Sequence, residues 1–131
     1  EPRAIIFREL ETSSLLKVKG WNINLGNQNV WELDIFSLDS FINLTDLKLL
    51  PSKLSGTGEI FLGPNLEIDN LSLSGNYEVT VPNDLSILVK GKAQVPDQWL
   101  DASVGNLNNP DKTYTVVIEI IDGSQVIFKD G

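Results

Sequence analysis

Chemistry at neutral pH usually draws on a histidine, a cysteine or a pair of carboxylates, and this chain offers only the last. Its 131 residues include no His and no Cys. That excludes a Ser-His-Asp triad, a thiolate nucleophile, a His- or Cys-ligated zinc ion and a Cys-ligated iron–sulfur cluster. The carboxylate pairs to weigh are Asp34 with Asp39 and Asp97 with Asp101. A glycosidase needs its two carboxyl groups about 5–9 Å apart across a cleft. Asp34 lies on the polar side of an alternating stretch, the ordinary place for a solvated charge. The chain is therefore expected not to be an enzyme, with a two-carboxylate glycosidase as a distant alternative. Calcium would suit an acidic chain, but no Asp-x-Asp-x-Asp-Gly loop and no Gly-Gly-x-Gly-x-Asp repeat occurs. Gly56-Thr57-Gly58 lacks the further glycine, the lysine and the helix of a phosphate loop, and reads as a turn. No metal and no cofactor are expected.

The aromatic residues are the other candidates. Trp21, Trp31 and Trp99, with Tyr77 and Tyr114, would make a carbohydrate platform if their faces were open, since flat rings stack on sugars and Trp is enriched at binding surfaces. Trp99 stands out because Pro96-Asp97-Gln98-Trp99-Leu100 reads as a loop. Packing into the core is the competing reading, because each Trp has apolar neighbours. A carbohydrate-binding module is thus an alternative function, with Trp99, Trp21 and Trp31 as its candidate surface.

Charge narrows the partners. Ten basic residues against 18 acidic ones leave a net charge of −8. The basic residues are scattered, so no cationic patch is available for phosphates, and nucleic acid is not expected. The longest apolar runs, such as Val116-Val117-Ile118, fall far short of the roughly 20 residues of a membrane span. No insertion into a membrane is expected within this chain. The chain begins at Glu1 and has no Met. It is expected to be a processed or excised chain, extracytoplasmic or envelope-associated.

The elements that would position these residues are strands. Apolar and polar residues alternate at Ile23 and Leu25, Leu33 and Ile35, Leu71 and Leu73, Tyr77 through Val81, and Leu85 through Val89, the mark of half-buried strands. Turn residues separate them, at Gly63-Pro64-Asn65, Pro82-Asn83-Asp84 and Asn108-Asn109-Pro110-Asp111. Asp122-Gly123, between Ile118–Ile121 and Gln125–Phe128, reads as a tight hairpin. Leu38 to Leu50 is the best helical candidate, and its Asn and Asp content makes it poor helix material.

One repeat stands out. Leu54 to Leu62 aligns without a gap on Leu73 to Val81, 19 residues on, and the match runs from Leu66 and Ile68 onto Leu85 and Ile87. Stepping back by the same interval gives Ile35, Phe41, Leu47 and Leu49. A repeat of about 20 residues built of short strands is the mark of a β-solenoid, in which stacked coils bury what one coil cannot. The expected fold is all-β, one domain over 1–131, with stacked short strands of β-solenoid-like form; a β-sandwich is the alternative. Leu47, Leu66 and Leu85 should form one buried ladder, and Leu49, Ile68 and Ile87 another. Asp46, Asn65 and Asp84 should mark a corner, with Lys48 above Glu67. The C-terminal hairpin is expected to cap one end, and Ile5-Ile6-Phe7 to pair with it or close the other.

From Gly75 to Val89, the run Gly-Asn-Tyr-Glu-Val-Thr-Val-Pro-Asn-Asp-Leu-Ser-Ile-Leu-Val resembles a segment of bacterial toast-rack domains. These include the C-terminal domain of the LiaF type in cell-envelope stress systems and the related putative adhesin domains. Tyr114 to Ile120, with Gly123 and Val126-Ile127-Phe128, looks like their last strands. Lys19 to Gly26 is similar to an early strand of theirs. The likeness spans about half the chain, and Phe36 to Leu50 departs from it. The family has no catalytic residues to carry over. The resemblance implies an envelope-associated scaffold, sensor or adhesin-like domain of toast-rack type, acting through a protein partner or self-association.

Overall fold

The structure, a computed structural model, describes residues 2–8, 22–24, 30–45, 47–102 and 105–131, with the backbone alone at 2–8, 22–24, 30, 31 and 102. Among these the fold is all-β, without a helix. The strands are β1 (Pro2–Arg8), β2 (Asn22–Asn24), β3 (Val30–Leu44), β4 (Lys48–Leu49), β5 (Ser52–Leu62) and β6 (Glu67–Val81). After them come β7 (Ile87–Lys90), β8 (Leu100–Ala102), β9 (Gly105–Leu107), β10 (Val116–Ile120) and β11 (Gln125–Asp130). All eleven belong to one mixed sheet.

Parallel, in-register stacking dominates. β5 lies on β6 from Ser52 opposite Leu71 to Phe61 opposite Thr80, an unbroken offset of 19 residues. β4 lies on β6 at the same offset, with Lys48 opposite Glu67 and Leu49 opposite Ile68. The Lys48 ammonium stands 3.5 Å from the Glu67 carboxylate. Neighbouring strands in such a stack are about 4.8 Å apart, so equivalent side chains form continuous columns. The inward columns merge into one aliphatic core that includes Leu54, Leu73, Ile60 and Val79, each fully buried. Ser52, also buried, accepts the Leu33 N–H at 2.9 Å and donates to the Leu50 carbonyl at 2.7 Å. The one inward polar group at this level is thereby satisfied.

β3 carries one residue more than β5. Asp34 to Ser37 pair at an offset of 19, and Ser40 to Leu44 at 18. The extra residue lies in the bulge at Leu38-Asp39, where Asp39 takes φ 51°. A bulge shifts every later side chain by one position. Ile42, not Phe41, therefore meets Ile60 in the core, and Phe41 stands opposite Glu59, partly exposed. The stretch that departs from alternation, Phe36 to Leu50, is this bulged strand and the corner after it.

Beyond Val81 the order of the stack differs from the order of the chain. β7 does not lie on β6. β10 comes between them, parallel to both, with Val116 opposite Ile68 on one side and Ile87 on the other. Leu49, Ile68 and Ile87 do share a column, but Val116 separates the last two, which puts them about 9.6 Å apart, not 4.8 Å. Thr115, one position earlier, continues this separation, its N–H donating to the Ser86 carbonyl at 3.1 Å and its carbonyl accepting from the Ile68 N–H at 3.0 Å, so Leu66, just before β6, and Leu85, before β7, likewise do not belong to adjacent strands.

The expected C-terminal hairpin is not formed. β10 and β11 both pair in parallel with β6, along its first and second halves. Asp122-Gly123 is therefore the bend of one coil, and this coil lies inside the stack instead of capping it. The cap above β7 is the antiparallel pair β8 and β9, with β9 on β7. At the other end β1 and β2 lie parallel on β3, with Ile5 opposite Leu33 and Asn22 opposite Phe41. Of the expected corner column, Asn65 takes φ 65°, Asp84 lies in a turn, and Asp46 falls outside the described residues.

Candidate functional site

Among the described residues, one concavity is a shallow groove of about 420 Å³ between β4, β6 and the start of β10. Its origin is a second bulge. Between Ile68 and Leu71, β6 has two residues, Asp69 and Asn70, against the single Val117 of β10. Two residues opposite one push the strand outward. Lys48, Glu67 and Asp69 line one side of the groove, and Tyr114, Thr115 and Val117 the other. Glu67 and Asp69 are both exposed, and residues two apart on a strand face the same way, about 7 Å apart. The Tyr114 ring is 43% exposed, and Thr115 beneath it is fixed by donating to the Leu66 carbonyl at 2.8 Å. This arrangement offers an aromatic face, two carboxylates and an ammonium. It can stack and hydrogen-bond, but it has no nucleophile held by a base.

A second surface runs over the outer side of β11. Two shallow hollows share Gln125 and Ile127; one adds Lys92, Gln94 and Ser124, the other Glu59, Asn76 and Glu78. Ile127 is 42% exposed between Glu78 below and Gln94 above. Lys129 pairs with Glu78 beside it.

Of the candidate tryptophans, Trp99 offers no platform. Trp99 is 94% buried, since only 6% of its surface meets solvent. Its ring packs on Phe128 at 5.6 Å between centroids, and its indole N–H donates to the Asp130 carboxylate at 3.0 Å. Gln98 donates to the same carboxylate. The loop reading holds from Pro96 to Trp99, while Leu100 opens β8, and the ring closes over the core, so Trp99 has no open face for a sugar. Trp21 and the Trp31 side chain fall outside the described residues; the Trp31 backbone pairs with Arg3 and Leu49.

Asp34, Asp39, Asp97 and Asp101 are all exposed. Asp34 pairs in register with Lys53, and the Asp39 N–H donates to Thr57 Oγ1 at 2.9 Å in the bulge. Among the described residues no group of three or more Asp or Glu gathers as a metal site. No helix there is long and apolar enough to cross a membrane. Gly56 and Gly58 belong to a bend where successive backbones touch, with Ser37 and Ser40 as their neighbours.

Tyr77 carries its phenol in a buried setting. Burial raises its phenol above the ordinary value of 10.0, and its hydroxyl has no hydrogen-bond partner. It stands opposite Gly58.

No family model, curated protein or solved structure matches this chain.

Proposed function

We propose that the chain is a non-catalytic scaffold, sensor or adhesin-like domain of toast-rack type, associated with a bacterial cell envelope and acting through protein–protein contacts. The observation that carries this reading is the outer surface. A sheet held by continuous parallel ladders presents separate apolar side chains, Phe36, Ile121 and Ile127, among exposed carboxylates, and its concavities are shallow. Ile127 sits where two shallow hollows meet, flanked by amide and charged side chains that match the polar rim of a protein interface. The resemblance of Gly75 to Val89 to toast-rack segments supplies the envelope setting. Photo-cross-linking in intact cells from position 127, with position 101 on the cap as control, tests it. A discrete protein adduct from position 127, in the envelope fraction only, is the expected result. Equal adducts from both positions, or an adduct in the soluble fraction alone, would overturn it.

Carbohydrate binding is the second reading, and the Tyr114 groove favours it. A sugar there would stack on the ring and hydrogen-bond to Glu67 and Asp69. A glycan array with the unmodified chain and with Tyr114→Ala decides: binding lost in the variant supports it, and no binding by the unmodified chain excludes it.

A further inference from the structure

The strand order leaves a slot in the stack that the chain fills from its own end. The walls of the slot are β6 below and β7 with Gln94 above, and both precede the segment that occupies it. β10 pairs with both walls. β11 lies along β6 for six residues, and above it Gln94 donates to the Val126 carbonyl at 2.9 Å and accepts from the Phe128 N–H at 2.8 Å. The turn leading into the segment is fastened separately to the corner at Asn83–Ile87. There Asn108 accepts from the Ile87 N–H and donates to the Leu85 carbonyl, each at 2.7 Å. Ser86 donates to the carbonyls of Asn109 and Lys112. Thr115 is already bonded into the slot. Only Thr113 and Tyr114, both exposed, join the finished slot to the segment that fills it.

We propose that the chain self-associates by exchanging this segment, residues 115–131 of one copy filling the slot of a second. The second copy is the occupant that reproduces every column. Val116 again lies between Ile68 and Ile87, and Asp130 again accepts from Trp99, so only the two-residue tether changes. An exchange that keeps all native pairs is a low-cost route to a dimer, and a short tether favours it. The inference rests on the strand order and is independent of the envelope reading.

The absence of Cys makes a clean test available in the full chain. Ser72 and Glu119 are register partners, with their side-chain oxygens 3.4 Å apart. S72C and E119C are prepared as separate chains, mixed unfolded, refolded together and oxidised. Neither can form a bond within its own chain. Exchange predicts an interchain disulfide that increases with protein concentration and vanishes on reduction. S72C mixed with I127C, whose position pairs with Glu78 instead, should give background only. Equal cross-linking in the two mixtures, or none in either, would overturn the proposal. Light scattering of the unmodified chain refolded over the same concentrations is the second measurement: a dimer that grows with concentration is expected, and a monomer throughout would refute exchange.

Discussion

Gly75→Ala should be among the most damaging single-methyl additions to this chain, and Gly123→Ala is its natural control. Gly75 adopts φ 129° and Gly123 φ 87°, so both leave the region open to L-residues. That alone costs about 1–2 kcal/mol at either position. Their surroundings differ. A Cβ at Gly123 meets nothing within 4 Å, whereas at Gly75 it lies 1.9 Å from the Gly56 carbonyl oxygen and 2.9 Å from its carbon. These are backbone atoms of the adjacent coil, and they have no rotamer by which to move aside. Reaching the 3.4 Å of ordinary contact requires the coils to part by about 1.5 Å, which breaks the ladder bonds on either side. Two such bonds at about 0.5–1.5 kcal/mol each, added to the conformational cost, give about 2–5 kcal/mol for Gly75→Ala. Urea unfolding followed by tryptophan fluorescence measures both variants. The same midpoint for both would refute the claim that these coils touch backbone to backbone at Gly75.

Three further outcomes follow from the packing. Ile68→Ala, which empties a position only 2% exposed, should cost about 2–5 kcal/mol, while Glu67→Ala, whose side chain is half exposed in its pair with Lys48, should cost only tenths; similar urea midpoints would invert the assignment of inward and outward positions. Asn108→Ala should cost about 1–3 kcal/mol, because it strands the Ile87 N–H and the Leu85 carbonyl together, and amide exchange at Ile87 should speed up accordingly; unchanged protection there would sink the idea. Tyr77, whose folded pKa lies above its unfolded 10.0, keeps its proton in the folded state when the unfolded state has lost it, so stability is intact below pH 10.0 and falls as pH climbs above it; Tyr77→Phe should flatten that alkaline loss in urea melts and leave neutral stability equal or higher, and an undiminished loss in the variant would show that another group causes it.

The sequence revealed periods better than partners. Alternation at Leu71 and Leu73 and at Tyr77 to Val81 reads directly as inward and outward faces, because side-chain direction along a strand is a local property. The 19-residue interval is legible for the same reason wherever two coils have equal length, as with β5 on β6. It fails by one residue at Phe41, where the bulge at Asp39 adds a position that composition does not mark. It fails more deeply after Val81. Which strand lies beside which is a non-local choice among segments of nearly identical aliphatic character, and nothing in Ile87 or Val116 records that the second would settle under the first. Asp122-Gly123 has the residues of a hairpin, yet a coil bend needs the same backbone freedom, so the dipeptide cannot distinguish the two. At the candidate sites, Trp99 drew notice by residue type, but its burial depends on Phe128 and Asp130 about 30 residues away. The Tyr114 groove arises from a mismatch between two strands and has no counterpart in either alone.

The late-filled slot also sets when this protein can finish folding. A ribosome releases the chain from its N-terminus, and folding proceeds in that direction at about 5–20 residues per second of synthesis. β3 to β6 can stack as they emerge, each coil on the one before, at short sequence separation. β10 pairs with residues 47 and 48 positions earlier, and the carbonyl of Val81 receives its bond from Gly131, 50 positions later. No nascent chain can make that bond before residue 131 has been synthesised. Until then the lower coils are built, β7 and its cap have nothing beneath them, and two sheet edges face each other unpaired. The slot is thus the last part of this chain to close, even where its coils assemble during translation, and the interval before residues 115–131 reach it is when a chaperone has its opportunity to act.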